Sequence, residues 1–216
     1  MTNDTSFYSQ SLNREMNFQK YGYAGKTILV FPSSGGSSYE FADFDMIDAS
    51  QSFIDRGLLQ FYTADSYDND SWLNLELSGH EKVEAHARYE AYILHELIPY
   101  IAYDSQWYGK IAVTGCSMGA FHAINFALRH PDVFDLSIAM SGVYDARFFT
   151  GEFGEDVAVY YQSPLDYLPH TNDVWYLDQY RQNHYVVAVG QGAWEGPHIA
   201  DTNKLEHVFQ EKGIPG

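Results

Sequence analysis

The segment KIAVTGCSMGAFHAINFALRHPDVF, residues 110–134, constrains the fold more than any other part of the chain. KIAVT (110–114) is a short apolar run of strand character, and MGAFHAINFALRHP (118–131) carries apolar residues at helical spacing up to Pro131. Between them lies GCSMG (115–119), a G-x-S-x-G pattern. Where a strand turns sharply into a helix at a serine, side chains on the neighbouring positions collide with the strand or the helix, so glycine is required there. The same turn brings the serine hydroxyl and the unpaired N–H groups of a helix N-terminus to one point. The pattern predicts Ser117 as a nucleophile and the Met118 amide as an oxyanion donor. The plainer alternative is an ordinary strand-to-helix turn with Ser117 as an N-cap. Cys116 reads as a small core residue rather than a second nucleophile.

Further strands are expected at TILVF (27–31), LLQFYT (58–63), LSIAM (136–140) and HYVVAVG (184–190). HEKVEAHARYEAYILHELIPYI (80–101) has the spacing of a helix closed by Pro99, and SFYSQSLNREMNFQKYG (6–22) that of an antiparallel pair turning near Leu12 to Arg14. Strands alternating with longer helical patterns predict an α/β three-layer sandwich. Its sheet is mostly parallel, with an antiparallel N-terminal edge. No composition break, low-complexity linker or internal repeat divides residues 1–216, which read as one domain.

Composition excludes several function classes. The net charge is −17 with no cluster of Lys or Arg, which disfavours nucleic acid as a partner. The only cysteine, Cys116, leaves neither an internal disulfide nor a CxxC-type zinc site. MTNDTSFYSQSLNREMNF at the N-terminus lacks a basic and then apolar leader, and no apolar run is long enough to span a membrane, so a cytoplasmic protein is expected. His80 and Glu84 share a helical face in GHEKVEAH (79–86), a spacing too weak to predict a metal site, and His95, His130, His170 and His184 show no ligand spacing.

The chemistry around Ser117 needs a second oxyanion donor, an acid and a base. ILVFPSSGGSSYEFADFDM (28–46) supplies a Gly/Ser loop after an apolar strand, with Gly35 as the expected donor and Tyr39, Phe41 and Phe44 as walls of a substrate pocket. A flexible surface loop is the alternative there. The acid should follow a late strand, which favours Glu195 after VVAVG over Asp201. Asp201 reads better as an N-cap or first-turn acid of the helix holding Leu205 and Val208.

FPSSGGSSYEFADFDMIDA, TGCSMGAFHAINFALRHPDVF and GQGAWE resemble the putative esterase family of α/β-hydrolases, related to esterase D and the antigen 85 mycolyltransferases. The resemblance extends over nearly the whole chain. It implies Ser117 as nucleophile, Glu195 as the acid that orients a histidine, and amides near Gly35 and Met118 as the oxyanion hole. It also implies acyl hydrolysis or transfer on a small-molecule ester without metal or organic cofactor. In such relatives the catalytic histidine follows a further strand, and this sequence ends at EKGIPG, where that strand would begin. His198 in GPHIA is then the best internal candidate for a substitute base, ahead of His80 and His86. His207 reads as solvated, and His122 as carried away from the serine along its helix. Two readings follow: a serine esterase or acyltransferase, and a hydrolase-like binding protein with impaired catalysis. A sheet lacking its last strand exposes an edge, so the chain is expected either to have very low esterase activity as a monomer or to bury that edge in a homodimer.

Overall fold

The short β-branched runs lie side by side in one seven-stranded sheet, in a computed structural model that describes residues 3–216. In chain order the strands are β1 (Asn3–Ser9), β2 (Arg14–Tyr21), β3 (Lys26–Phe31), β4 (Leu59–Ala64), β5 (Ile111–Cys116), β6 (Phe134–Met140) and β7 (His184–Ala188). Their spatial order is β1-β2-β4-β3-β5-β6-β7. β2 runs antiparallel to both β1 and β4, and all remaining pairings are parallel. The antiparallel edge therefore stands where the sequence placed it, and the five core strands differ from the expected runs only at their ends.

The helices are α1 (Glu40–Asp43), α2 (Met46–Asp55), α3 (Gly79–Tyr92), α4 (Ile98–Ser105), α5 (Met118–Arg129), α6 (Arg147–Thr150), α7 (Val157–Tyr160), α8 (Pro164–His170), α9 (Val174–Gln182) and α10 (Gly196–Lys212). α3 opens with a capping box in which Ser78 and Glu81 satisfy each other's backbone N–H. Pro99 does not close this helix, contrary to expectation. A π-helical turn, Ile93–Leu97, joins α3 to α4 and leaves Pro99 in the first turn of α4, where its missing N–H is no loss.

β3 and β5 are buried on both faces, which is why they read as continuous apolar runs. Leu29, Phe31 and Val113 face Tyr89, Tyr92 and Ile93 of the α3 region and Ala120 and Ile124 of α5. Ile28, Val30 and Ala112 face Ile47 and Ile54 of α2 on the other side. That second face thins toward β7, where Val186 is half exposed. Among the described residues no helix is long and apolar enough to cross a membrane.

α5 is the central helix, buried at every position from Met118 to Leu128. Its Phe126 stacks on Phe31 of β3 with ring centroids 5.0 Å apart. The first turn comes closer still. A Cβ on Gly119 would fall on the carbonyl oxygen of Phe31 and 2.6 Å from that of Pro32, and a Cβ on Gly115 would strike the backbone of Gly119, 2.7 Å from its Cα. At the far end of α5, Arg129 and His130 each meet the Glu90 carboxylate of α3 at 2.6 Å. Burial works to raise the Glu90 carboxyl, but the His130 hydrogen bond and the Arg129 charge outweigh it and draw the group down to about 2.

Two stability outcomes follow from these contacts. Gly115→Ala and Gly119→Ala should each cost at least about 1–3 kcal/mol in urea denaturation, since the obstacle is backbone rather than a side chain that can swing away. An unchanged midpoint would contradict the close approach. Because the folded Glu90 lies below its unfolded value, its contribution is present above about pH 4 and is lost as the pH falls toward about 2. The stability gap between wild type and Glu90→Gln should close across that window; a constant gap would remove Glu90 from the account.

Candidate active site

β5 ends at Cys116 and α5 begins at Met118, so Ser117 alone makes the turn between them. Its backbone sits at φ 56° and ψ −116°, a region that residues with a Cβ seldom occupy and that costs about 1–3 kcal/mol. The cost is offset by hydrogen bonds on both sides. Ser117 N–H donates to Met140 O of β6 at 2.8 Å, and Ser117 O accepts from Ala120 and Phe121 at 3.0 and 3.2 Å. The hydroxyl makes no capping bond, so the N-cap alternative does not describe this serine. The N–H groups of Met118 and Gly119 have no acceptor among the described residues and stand at the positive end of α5.

The loop after β3 lies against this first turn, because Pro32 O is one of the atoms that Gly119 abuts. Its amides are mostly engaged. Ser33 donates from N–H and Oγ to the Glu40 carboxylate at 2.6 and 2.8 Å, Gly36 N–H bonds Ser33 O at 2.9 Å, and Ser38 N–H bonds Asp65 Oδ1 at 2.8 Å. Gly35 N–H, the expected second oxyanion donor, turns instead to Asp68 Oδ2 at 3.3 Å, with Gly35 at φ 65°. Among the described residues, the amide left without an acceptor on this stretch nearest Pro32 is that of Ser34. Asp68 also bonds His122 Nε2 at 2.8 Å, so His122 is tied back to the site through a carboxylate that the helical spacing could not reveal.

The aromatic residues of the loop separate. Phe41 is partly buried and packs on Phe61 at 5.3 Å beside the α2-side core. Tyr39 and Phe44 stay at the surface, 45% and 69% exposed.

Glu195 stands at the start of α10, beyond β7. Ser141, just after β6, donates from Oγ to Glu195 Oε1 at 3.1 Å and accepts at 3.4 Å from Gly190 N–H. Burial, then the charges of Glu195 and Glu40, push the Cys116 thiol up, so both carboxylates act on the residue beside Ser117. Among the described residues Glu195 Oε2 is buried without a hydrogen-bond partner; His198 Nδ1, equally unpartnered, lies 3.8 Å away. The structure thus brings Glu195 and His198 together at ion-pair rather than hydrogen-bond distance. Among the described residues no histidine hydrogen-bonds Ser117.

Asp201 has a different place from the one expected. Gly196 and Pro197 already begin α10, so Asp201 lies inside the helix, and its Oδ2 accepts from Tyr144 and Asp145 N–H at 2.9 and 3.2 Å. It ties α10 to the loop after β6. His80 bonds Asp156 at 2.9 Å on an exposed face, 3.7 Å from Glu84, while His86 is buried against Trp72 and His122.

Comparison with known proteins agrees with this geometry. No curated protein matches the sequence. Solved structures match over essentially its whole length. A ferulic acid esterase superposes with a TM-score of 0.79 at 17% identity, over 100% of this chain and 87% of that one. Mycobacterium tuberculosis MPT51 gives 0.75 at 12% identity, over 99% and 86%. FphF of Staphylococcus aureus, a fluorophosphonate-binding serine hydrolase, gives 0.73 at 15% identity, over 100% and 88%. At such identities the likeness shows the fold, that of the α/β-hydrolases. Residues 9–211 match the family described as "Putative esterase". Fold, serine turn and family match coincide over the same residues, and the chain belongs to the putative esterase family of α/β-hydrolases.

Proposed function

We propose that the chain is a serine carboxylic-ester hydrolase that works through an acyl-enzyme on Ser117. The observation that carries this reading is the strained backbone of Ser117, held at the C-terminal end of β5 beside unengaged amides of α5. Strain of this kind persists where the surrounding contacts over-determine it, and here it lifts a hydroxyl out of the helix cap. In the reaction, Ser117 Oγ attacks the ester carbonyl carbon while a histidine takes its proton. The oxyanion is met by the Met118 amide and by that of Ser34, which replaces Gly35 in this role. Collapse expels the alcohol, which receives the proton from the histidine, and water then cleaves the acyl-enzyme.

Glu195 is the carboxylate that orients the base. Ser141 fixes one of its oxygens and the other is open toward a ring N–H. His198 is the histidine within reach of that oxygen among the described residues, and closing the 3.8 Å separation needs only a local side-chain adjustment. The charge of −17 and the carboxylates of Glu40 and Glu195 favour a neutral or cationic ester. Exposed Tyr39 and Phe44 offer it apolar or sugar-stacking contact. An alcohol in place of that water makes the same site an acyltransferase.

The 3.8 Å separation also favours a second reading, in which the serine turn is retained as architecture in a binding protein. A fluorophosphonate probe and short p-nitrophenyl esters separate the two. The esterase reading expects labelling and turnover that Ser117→Ala abolishes. It further expects a loss in kcat of about a hundredfold or more in His198→Ala, with little change in KM. Turnover that His198→Ala leaves intact moves the base elsewhere, and equal behaviour of wild type and Ser117→Ala ends the esterase reading.

A further inference from the structure

Asp68 and His122 are each only 1% exposed. A carboxylate so deep in the protein is tolerated when its oxygens are paired and hydrogen-bonded. Asp68 meets that condition with two partners that lie far apart in the chain: Oδ1 accepts from His122 Nε2 at 2.8 Å, and Oδ2 accepts from Gly35 N–H at 3.3 Å.

The His122 ring is confined on every side. Phe31, Tyr89, Phe121 and Phe126 surround it with centroids 5.6 to 6.5 Å away, and His86 stacks on it at 5.3 Å and 20°. Burial, then the neighbouring His122, hold His86 well below the usual histidine range, so His86 faces this ring as a neutral, flat partner. Among the described residues His122 Nδ1 is buried with no partner, which leaves the bond to Asp68 as the ring's one hydrogen bond there. A ring locked in this way delivers its N–H to one fixed point, and the second oxygen of Asp68 passes that fixity to Gly35.

Ser34 therefore lies between two pinned neighbours, Ser33 on Glu40 and Gly35 on Asp68. We infer that the buried Asp68–His122 pair is a positioning device for the oxyanion site, holding Gly35 and with it fixing the orientation of the Ser34 N–H in the loop beside the first turn of α5. Neither residue touches substrate. The inference rests on the Ser117 reading given above.

The test uses Asp68→Asn, His122→Phe and His122→Gln, whose side-chain amide can still donate to Asp68. Hydrogen exchange reports the backbone of residues 33–36, and fluorophosphonate titration normalises kcat to the number of competent serines. Asp68→Asn and His122→Phe should speed exchange at 33–36 about tenfold or more, because the Gly35 bond loses its anchor. In the same variants kcat per titrated serine should fall about tenfold to a hundredfold with KM nearly constant. His122→Gln should recover most of both. Where His122→Phe fails to fold, Asp68→Asn against His122→Gln carries the comparison. A merely structural role would lower the titratable fraction and the melting temperature while leaving kcat per serine intact. Unchanged exchange, or faster exchange with unchanged kcat per serine, overturns the inference alone. A wild-type chain that neither takes the label nor hydrolyses ester overturns the Ser117 reading and this inference with it.

Discussion

The contact between the first turn of α5 and the end of β3 is the constraint on which the rest of the site depends. Gly119 lies so close to the carbonyls of Phe31 and Pro32 that no side chain fits between them, and Gly115 is equally close to Gly119. Helix and strand can approach to that distance only without Cβ atoms. The approach forces Ser117 into its strained conformation and keeps the Gly/Ser loop beside the helix N-terminus. It also brings Phe126 onto Phe31, so one piece of packing serves both the core and the site.

Acidic residues hold the surroundings of that contact in place. Glu40, Asp65 and Asp68 each accept a backbone N–H of the loop after β3, and Asp201 accepts two from the loop after β6. Hydrogen bonds from amides to carboxylates are stronger than neutral ones, and they satisfy donors that loops cannot pair among themselves. Part of the acidity of the chain is thus structural, spent on fastening the loops at the C-terminal edge of the sheet. Glu195 differs from these four. One of its oxygens is fixed by Ser141, and the other is buried and open. A carboxylate half satisfied in this manner is suited to orient a partner rather than to fasten a loop.

The three solved structures compared above share between 12% and 17% of its residues, with TM-scores of 0.73 to 0.79. Such likeness is physically reasonable because the fold depends on a few rules that many sequences satisfy. These are apolar runs for strands buried on both faces, helical spacing between them, and small residues where helix meets strand. At the C-terminal edge of the sheet this chain carries its Gly/Ser stretch and its carboxylates.

The sequence by itself determined the strands, the central helix, the serine turn and the placing of Glu195 after the last strand. Each of these depends on a local period or a local steric rule that can be read within a dozen or so residues. Tertiary structure decided the remainder. Pro99 continues a helix because a π turn placed before it shifts it into a first turn. Phe41 turns toward the α2-side core because Phe61 lies there to meet it. Gly35 N–H is taken by Asp68, and Asp68 is held by His122, although 33 and 54 residues separate these partners in the chain. A loop amide or a buried carboxylate has several acceptable partners in any sequence. The choice falls to whichever the packing of sheet and helices brings within hydrogen-bond distance, and no local pattern records that distance.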